Sequence, residues 1–331
     1  MGQARGIVVR MAGRALALVL AILLGIAPPA LASWPEHPVR LVVPYPPGGP
    51  VDVLARLLAE RLTTRYGQSF IVENKPGANG AIGVQAVMSA PADGYTLLVH
   101  GSAGYTIYQA VMAQPAFDTL RDLAPVSTVA YFDLILCANP ELPFTDVKGF
   151  VAYAKANPGK LSYGTAGIGA MNHVGTEWFK SMADIDIVHV PYRGDAPVAS
   201  DIMAGTLGVG FVSSNVAIPL VKTGKLRALA VPRKERMAAM PDIPTMAEQG
   251  YPDFDMRPWA AFFGPAKLSP EIIASLGATL RDILTAPEVV EKLASFGMQA
   301  TWTTPQDMAD TIRANTALWK DVATKAHIVV E

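Results

Sequence analysis

Along the chain, short β-branched runs alternate with stretches in which apolar residues recur three or four positions apart. Residues 39–43 (VRLVV) form the first run. After a turn at 44–50, Val51, Leu54, Leu58 and Leu62 repeat at helical spacing up to Gly67. The pattern predicts a strand at 39–43, a helix at 51–66, a strand at 70–73, a loop of turn formers at 74–80, a helix at 81–90 and a strand at 96–100. The alternation restarts downstream, with strands at 134–138, 161–163, 187–190, 209–212 and 226–231 and helices at 145–156, 171–182 and 196–204. Beyond 259–264 the remainder reads as helical, at 270–284, 287–295 and 305–326, each opened by a proline near its first turn, where no N–H partner is lost. Helices between strands predict an α/β fold with mainly parallel, doubly wound sheets, in two lobes of similar grammar.

The N-terminus departs from this grammar. Arg5, Arg10 and Arg14 precede an apolar run at 15–26, followed by Pro28, Pro29 and Ala30-Leu31-Ala32. A basic segment, a short apolar segment and small residues in that order predict a cleavable secretory signal. The run is shorter than the roughly 20 apolar residues of a spanning helix, and no cysteine follows it to carry a lipid. Cleavage after Ala32 would remove three arginines, leaving 299 residues and turning the formal net charge of -1 into -4. The predicted product is an exported protein. Its length suits about two domains, so the 51% hydrophobic content reads as a signal plus buried sheets and not as a membrane protein. With 27 basic against 28 acidic residues and no basic stripe, a nucleic-acid partner is not expected. Cys137, the sole cysteine, excludes an intramolecular disulfide framework and a multi-cysteine zinc site. No cofactor or metal is expected.

Candidate chemistry concentrates in two glycine-rich turns, each between a predicted strand and a predicted helix. One is Pro44-Tyr45-Pro46-Pro47-Gly48-Gly49-Pro50-Val51-Asp52; the other is Gly164-Thr165-Ala166-Gly167-Ile168-Gly169-Ala170-Met171-Asn172-His173. Glycine lets backbone approach a ligand, and the first turn of a helix offers unpaired N–H groups at its positive end. Such a turn suits an anion. Two of them at equivalent points of two lobes suggest a cleft that holds a ligand with two anionic ends, without an arginine clamp. Asp52 has a plain role as a carboxylate at a helix N-terminus, and a sharper one as partner of a ligand amine or bridging water. His173 fits support of the second loop better than catalysis. Arg193 and Asp201 either line the cleft or form a structural pair.

Competing motifs fail on their own terms. From Gly167 the dinucleotide pattern G-x-G-x-x-G/A meets Asn172 where Gly or Ala is required, and no P-loop occurs. Ser102 lies in a Gly101-Ser102-Ala103-Gly104 turn, but His100 stands where G-x-S-x-G needs its first glycine. A hydrolase using Ser102 with a histidine stays open as a lesser reading. His100, His173 and His189 show no metal-binding spacing.

Several ordered segments together resemble one family: Val43 to Asp52, Tyr163 to His173, His189-Val190-Pro191-Tyr192-Arg193-Gly194, Gly224 to Ala230, Pro241-Asp242-Ile243-Pro244-Thr245 and Glu248-Gln249-Gly250-Tyr251. From Trp34 to Glu331 the chain is similar to the solute-binding proteins of tripartite tricarboxylate transporters, the Bug family. The resemblance implies a non-enzymatic, monomeric periplasmic receptor with a two-lobed, type II-like binding-protein fold and a ligand cleft between the lobes. It places lobe one at 33–133 plus 257–331 and lobe two at 134–256, with crossing strands near 130–137 and 256–263. It also implies a small organic carboxylate ligand and a two-component integral membrane permease as partner; a ligand sensor for a signalling protein is the alternative. The implied ligand-binding residues are Tyr45, Pro46, Gly48, Gly49, Asp52, Ser102, Thr165, Ala166, Gly167, Gly169, Ala170, His173, Tyr192, Arg193 and Asp201. There are departures from the family pattern. Pro46-Pro47 removes two backbone donors from the first loop, Gly205-Thr206-Leu207-Gly208 replaces a Gly-Gly pair followed by an acid, and Tyr105 is expected beside Ser102, either narrowing the pocket or stacking on a ring of the ligand.

Overall fold

The computed structural model describes residues 34–325 and Ile328. The predicted signal segment, 1–32, lies outside the described residues. The first strand, β1 (Val39–Val43), is fully buried except for Arg40 and leads through the first glycine-rich turn into α1 (Pro50–Tyr66). Pro50 opens this helix and Gly67, at φ 71°, closes it with an N–H donated to the Thr63 carbonyl. β2 (Phe70–Asn74), α2 (Ala81–Met88) and β3 (Thr96–Gly101) complete the first unit of alternation. β1 pairs in parallel with both β2 and β3, the arrangement that helical crossovers between strands produce.

The predicted mainly parallel sheet is mixed instead. β4 (Leu123–Phe132) and β10 (Trp259–Pro265) join the first sheet antiparallel, and β11 (Met298–Ala300) caps its edge, giving the order β11-β4-β10-β3-β1-β2. The second sheet has the order β7-β6-β8-β5-β9, from β5 (Leu134–Ala138), β6 (Ser162–Thr165), β7 (Val188–Pro191), β8 (Val209–Ser213) and β9 (Arg227–Ala230). Here β6 pairs in parallel with β7 and β8, while β5 runs antiparallel to β8 and β9. β5 and β10, the first strands after the two crossings between sheets, each run against both of their neighbours.

The helices beside the second sheet are α5 (Val147–Ala156), α6 (Met171–Ala183), α7 (Asp195–Met203) and α8 (Ser214–Lys222), which follow the short helices α3 (Ile107–Val111) and α4 (Thr119–Asp122). α9 (Pro270–Thr285), α10 (Pro287–Ser295) and α11 (Pro305–Lys325) form the helical C-terminal part. α11 serves two cores. Met308 and Ile312 pack with Val42, Leu98 and Phe263 of the first sheet, whereas Trp319, Val322 and Ala323 pack with Leu136, Val174 and Phe211 around the second. The C-terminal segment expected in lobe one is therefore shared by both sheets.

The chain crosses between sheets at Asp133, between β4 and β5, and again just before β10. The two crossings are hydrogen-bonded to one another, Phe132 N–H to the Pro258 carbonyl at 2.8 Å. Asp133, 8% exposed, takes a two-pronged bond from Arg233 at 2.8 and 2.9 Å and lies 3.7 Å from Arg257. No helix among the described residues is long and apolar enough to cross a membrane.

Candidate solute site

Each glycine-rich turn leaves the C-terminal end of a parallel strand and enters a helix, the place where open α/β sheets receive ligands. In the first turn, Gly48 has φ 86°, a left-handed conformation that an L side chain rarely adopts. Its N–H is donated to Asp52 Oδ2 at 2.8 Å, and the same carboxylate accepts Arg56 Nε at 3.0 Å and Asn74 Nδ2 at 2.8 Å. Asn74 Nδ2 also bonds the Tyr45 carbonyl at 3.1 Å. Asp52 is thus the internal anchor of the loop, 2% exposed, and the Gly48 donor is already engaged. Burial pushes its carboxyl up, but hydrogen bonds from Arg56, Gly48 and Asn74 with the Arg56 charge outweigh burial and hold it below the usual range.

A depressed carboxyl stabilises the fold at pH above its ordinary value, and that contribution is lost as pH falls through the folded-state value. Asp52→Ala is expected to lower stability by about 2–3 kcal/mol at neutral pH. In chemical denaturation, the gap from wild type should close as pH drops below about 4.

Tyr45 leans back onto the first sheet. Its hydroxyl lies 3.0 Å from His100 Nδ1 and donates to the Gly101 carbonyl at 3.4 Å. His100 is fully buried, and burial lowers it to about 3, so it is neutral. Tyr105, expected beside the pocket, is instead enclosed between Trp259 and Phe263, with ring centroids 5.2 and 5.0 Å away. The ring also packs edge-on against His100 at 5.4 Å, and this aromatic burial outweighs the cost of a hydroxyl enclosed without a hydrogen-bond partner among the described residues.

The second turn is organised in the same manner by its own helix. Gly167 has φ 135° and Gly169 φ 78°. Asn172 Oδ1 accepts the Ala166 N–H at 3.1 Å and His173 Nδ1 accepts the Gly169 N–H at 3.2 Å. Thr165 Oγ1 is 3.3 Å from Gly167 N, and the Ala170 N–H returns to the Gly167 carbonyl at 3.2 Å. Ile168 at the tip is 50% exposed. Asn172 continues inward, donating to Asp195 Oδ1 at 3.0 Å and to the Phe211 carbonyl at 3.1 Å, while Asp195 accepts from the Ser213 hydroxyl. The loop is thereby tied to the end of β8.

Two glycine-rich turns at helix N-termini, one per sheet, suit an anion, and relatedness decides the kind of protein. Residues 54–328 match the model of the tripartite tricarboxylate transporter family receptor. The chain belongs to this receptor family. It is 35% identical over 300 residues to Protein BugT of Bordetella pertussis, covering 90% of this chain and 92% of that protein. The solved structure of R. palustris Rpa4515 with adipate is 34% identical with a TM-score of 0.85, covering 89% of this chain and 99% of that one. MatC from Rhodopseudomonas palustris with bound malate is 27% identical with a TM-score of 0.80, covering 87% and 99%. Such relatives are solute receptors, and this receptor is a solute-binding protein, not an enzyme.

Ser102 is buried, its Oγ accepts the Trp259 N–H at 3.2 Å, and its carbonyl accepts from Thr106. None of these partners is a histidine, and His100 faces Tyr45, so Ser102 has no base at hand. The alternative Arg193–Asp201 pair is also absent among the described residues: Tyr192 Oη donates to Asp201, while Arg193 is exposed. That bond to Asp201, followed by burial, raises the Tyr192 hydroxyl to about 12. Gly167 lies against this segment, since a Cβ there would stand 3.5 Å from the Tyr192 carbonyl. Asn74, His100, Asn172, Asp195 and His189 were not singled out from sequence as loop supports. Only their positions hinted at it, Asn172 being in the first helical turn after the glycines.

Proposed function

We propose that this receptor captures a small organic dicarboxylate in a cleft between the two sheets and delivers it, in the periplasm, to a two-component integral membrane permease. The observation that carries the proposal is the pair of glycine-rich strand-to-helix turns, one in each sheet, each opening a helix of more than three turns. In this reading the sheets are the cores of two lobes, split near Asp133 and again before Trp259, and the signal at 1–32 directs export. The first loop, Tyr45 to Gly49, offers the Gly49 N–H and the open first turn of α1. The second, Thr165 to Ala170, offers the Ile168 N–H and the first turn of α6, with the Gly167 and Gly169 donors released from Thr165 and His173. Pro46, Pro47 and Ile168, all exposed, supply apolar contact to the carbon chain, and Arg193 flanks the second loop. Adipate and malate, held by the two relatives, both carry two carboxylates, which supports a ligand with two anionic ends.

Closure follows if the solute binds the closed arrangement better than the open one. Calorimetry against aliphatic dicarboxylates, aromatic acids and amino acids should give saturable heat with at least one aliphatic dicarboxylate. A flat response across the whole panel would overturn the proposal.

A further inference from the structure

The second loop rests on a stack of titratable side chains that backbone capture of a carboxylate does not itself require. His173 on α6 and His189 on β7 stack with ring centroids 4.2 Å apart. His189 Nε2 is 2.7 Å from Thr165 Oγ1 at the start of the loop, and His173 Nδ1 accepts the Gly169 N–H in the middle of it. That bond sets the tautomer of neutral His173, whose proton must be on Nε2. Tyr163 on β6 stacks on His189 at 5.0 Å. Glu177, one turn beyond His173, accepts from the Tyr163 hydroxyl and from Lys180 Nζ at 2.9 Å. The groups facing the imidazoles from α6, β6 and β7 are thus Glu177, Lys180, Tyr163 and the two rings themselves. Burial lowers His173, with Lys180 adding to the effect and Glu177 opposing it; burial, then the neighbouring His173, lowers His189 to about 4.

A proton arriving on His173 Nδ1 makes two changes. It removes the acceptor of the Gly169 N–H, releasing that donor, and it places positive charge directly behind the loop. An anion at the loop favours both changes, because it competes for the same N–H and attracts the imidazolium. Proton uptake and anion capture therefore promote one another, as any two linked binding events must. We propose that the His173–His189 pair couples capture of an anionic solute at the second loop to uptake of a proton, with His189 a positioning residue acting through Thr165 and His173. The inference rests on the proposal that this loop holds a carboxylate.

The test is calorimetric titration of wild type, His173→Gln and His189→Gln with adipate, malate and the remaining acids, at pH 7.5 and pH 6.0. Two buffers of different ionisation enthalpy, MES and bis-tris, give the proton number at the lower pH. Wild type should take up about 0.3 proton more per solute than His173→Gln at pH 6.0. Its affinity should gain about twofold between the two pH values beyond any gain of that variant, and His189→Gln should fall between them. Saturable binding with equal proton numbers in wild type and His173→Gln overturns the coupling and leaves the receptor reading intact. No heat with any acid overturns the receptor reading, and the coupling with it. Imidazole Cε1–H resonances of wild type provide a check that needs no variant. Their titration midpoints should lie higher in the solute-bound protein than in the free one, and equal midpoints contradict the proposal.

Discussion

Gly167→Asp should weaken solute binding by about a thousandfold while leaving the protein folded. Two costs add. At φ 135° the backbone of residue 167 lies where side-chain-bearing residues are strained by about 1–3 kcal/mol, and the Tyr192 carbonyl stands 3.5 Å from the new Cβ. The new carboxylate also faces the anion it replaces room for, and two like charges about 4 Å apart at an effective dielectric near 20 repel by about 4 kcal/mol. Gly167→Asn separates the two costs, since it carries the same strain without the charge. Calorimetry should rank wild type above Gly167→Asn, and Gly167→Asn well above Gly167→Asp. Thermal melts should show the two variants equally destabilised. Equal affinities for the two variants would remove the anion from the second loop.

Asp133→Ala should have the largest effect on stability, about 3–5 kcal/mol, because it strands two guanidiniums in a half-closed setting. Arg233 and Arg257 have only 14% and 23% of their side chains exposed, and Asp133 is the carboxylate both approach. Burial pushes the Asp133 carboxyl above its usual range despite the pull of Arg233 and Arg257, so the cluster is electrostatically expensive. A raised carboxyl favours the fold at acid pH, and that share is lost as pH rises through its folded-state value. Removing one partner is nevertheless worse than keeping all three. The cluster ties both crossings, one directly at Asp133 and the other through Arg257, so its cost is incurred where the chain passes between the two sheets. Urea denaturation measures the loss. A double variant, Asp133→Ala with Arg233→Met, should recover part of it, and no recovery would show that the pair is not the source.

The alternation of strands and helices was legible because it depends on local periodicity: helix 50–66 and strands 39–43, 96–101 and 134–138 fall within a residue or so of their predicted bounds. β4 was not. Its sequence LAPVSTVAYF has no clean alternation and contains Pro125, which is tolerated where the pairing with β10 shifts register between Phe262 and Phe263. α8 was hidden by Pro219 inside it. Both elements exist through partners distant in sequence. In the site, the glycine turns could be recognised as turns, but not the fate of their donors. Whether the Gly48 N–H meets solvent or Asp52, and the Ala166 N–H meets a ligand or Asn172, depends on side-chain directions set by the helix that follows. The same holds for Ser102, implied by the resemblance as a ligand-binding residue, whose Oγ ties the end of β3 to β10.

The central claim is that backbone N–H groups of both glycine-rich loops hold the carboxylates of one solute. A crystal structure of the receptor with the tightest-binding acid of the calorimetric panel tests it most directly. Carboxylate oxygens are expected within about 3 Å of backbone nitrogens in both loops, with the Gly169 N–H turned away from His173 and toward the solute. A solute held by the Arg193 guanidinium, with the loop donors still on Asp52, Asn172 and His173, would contradict it.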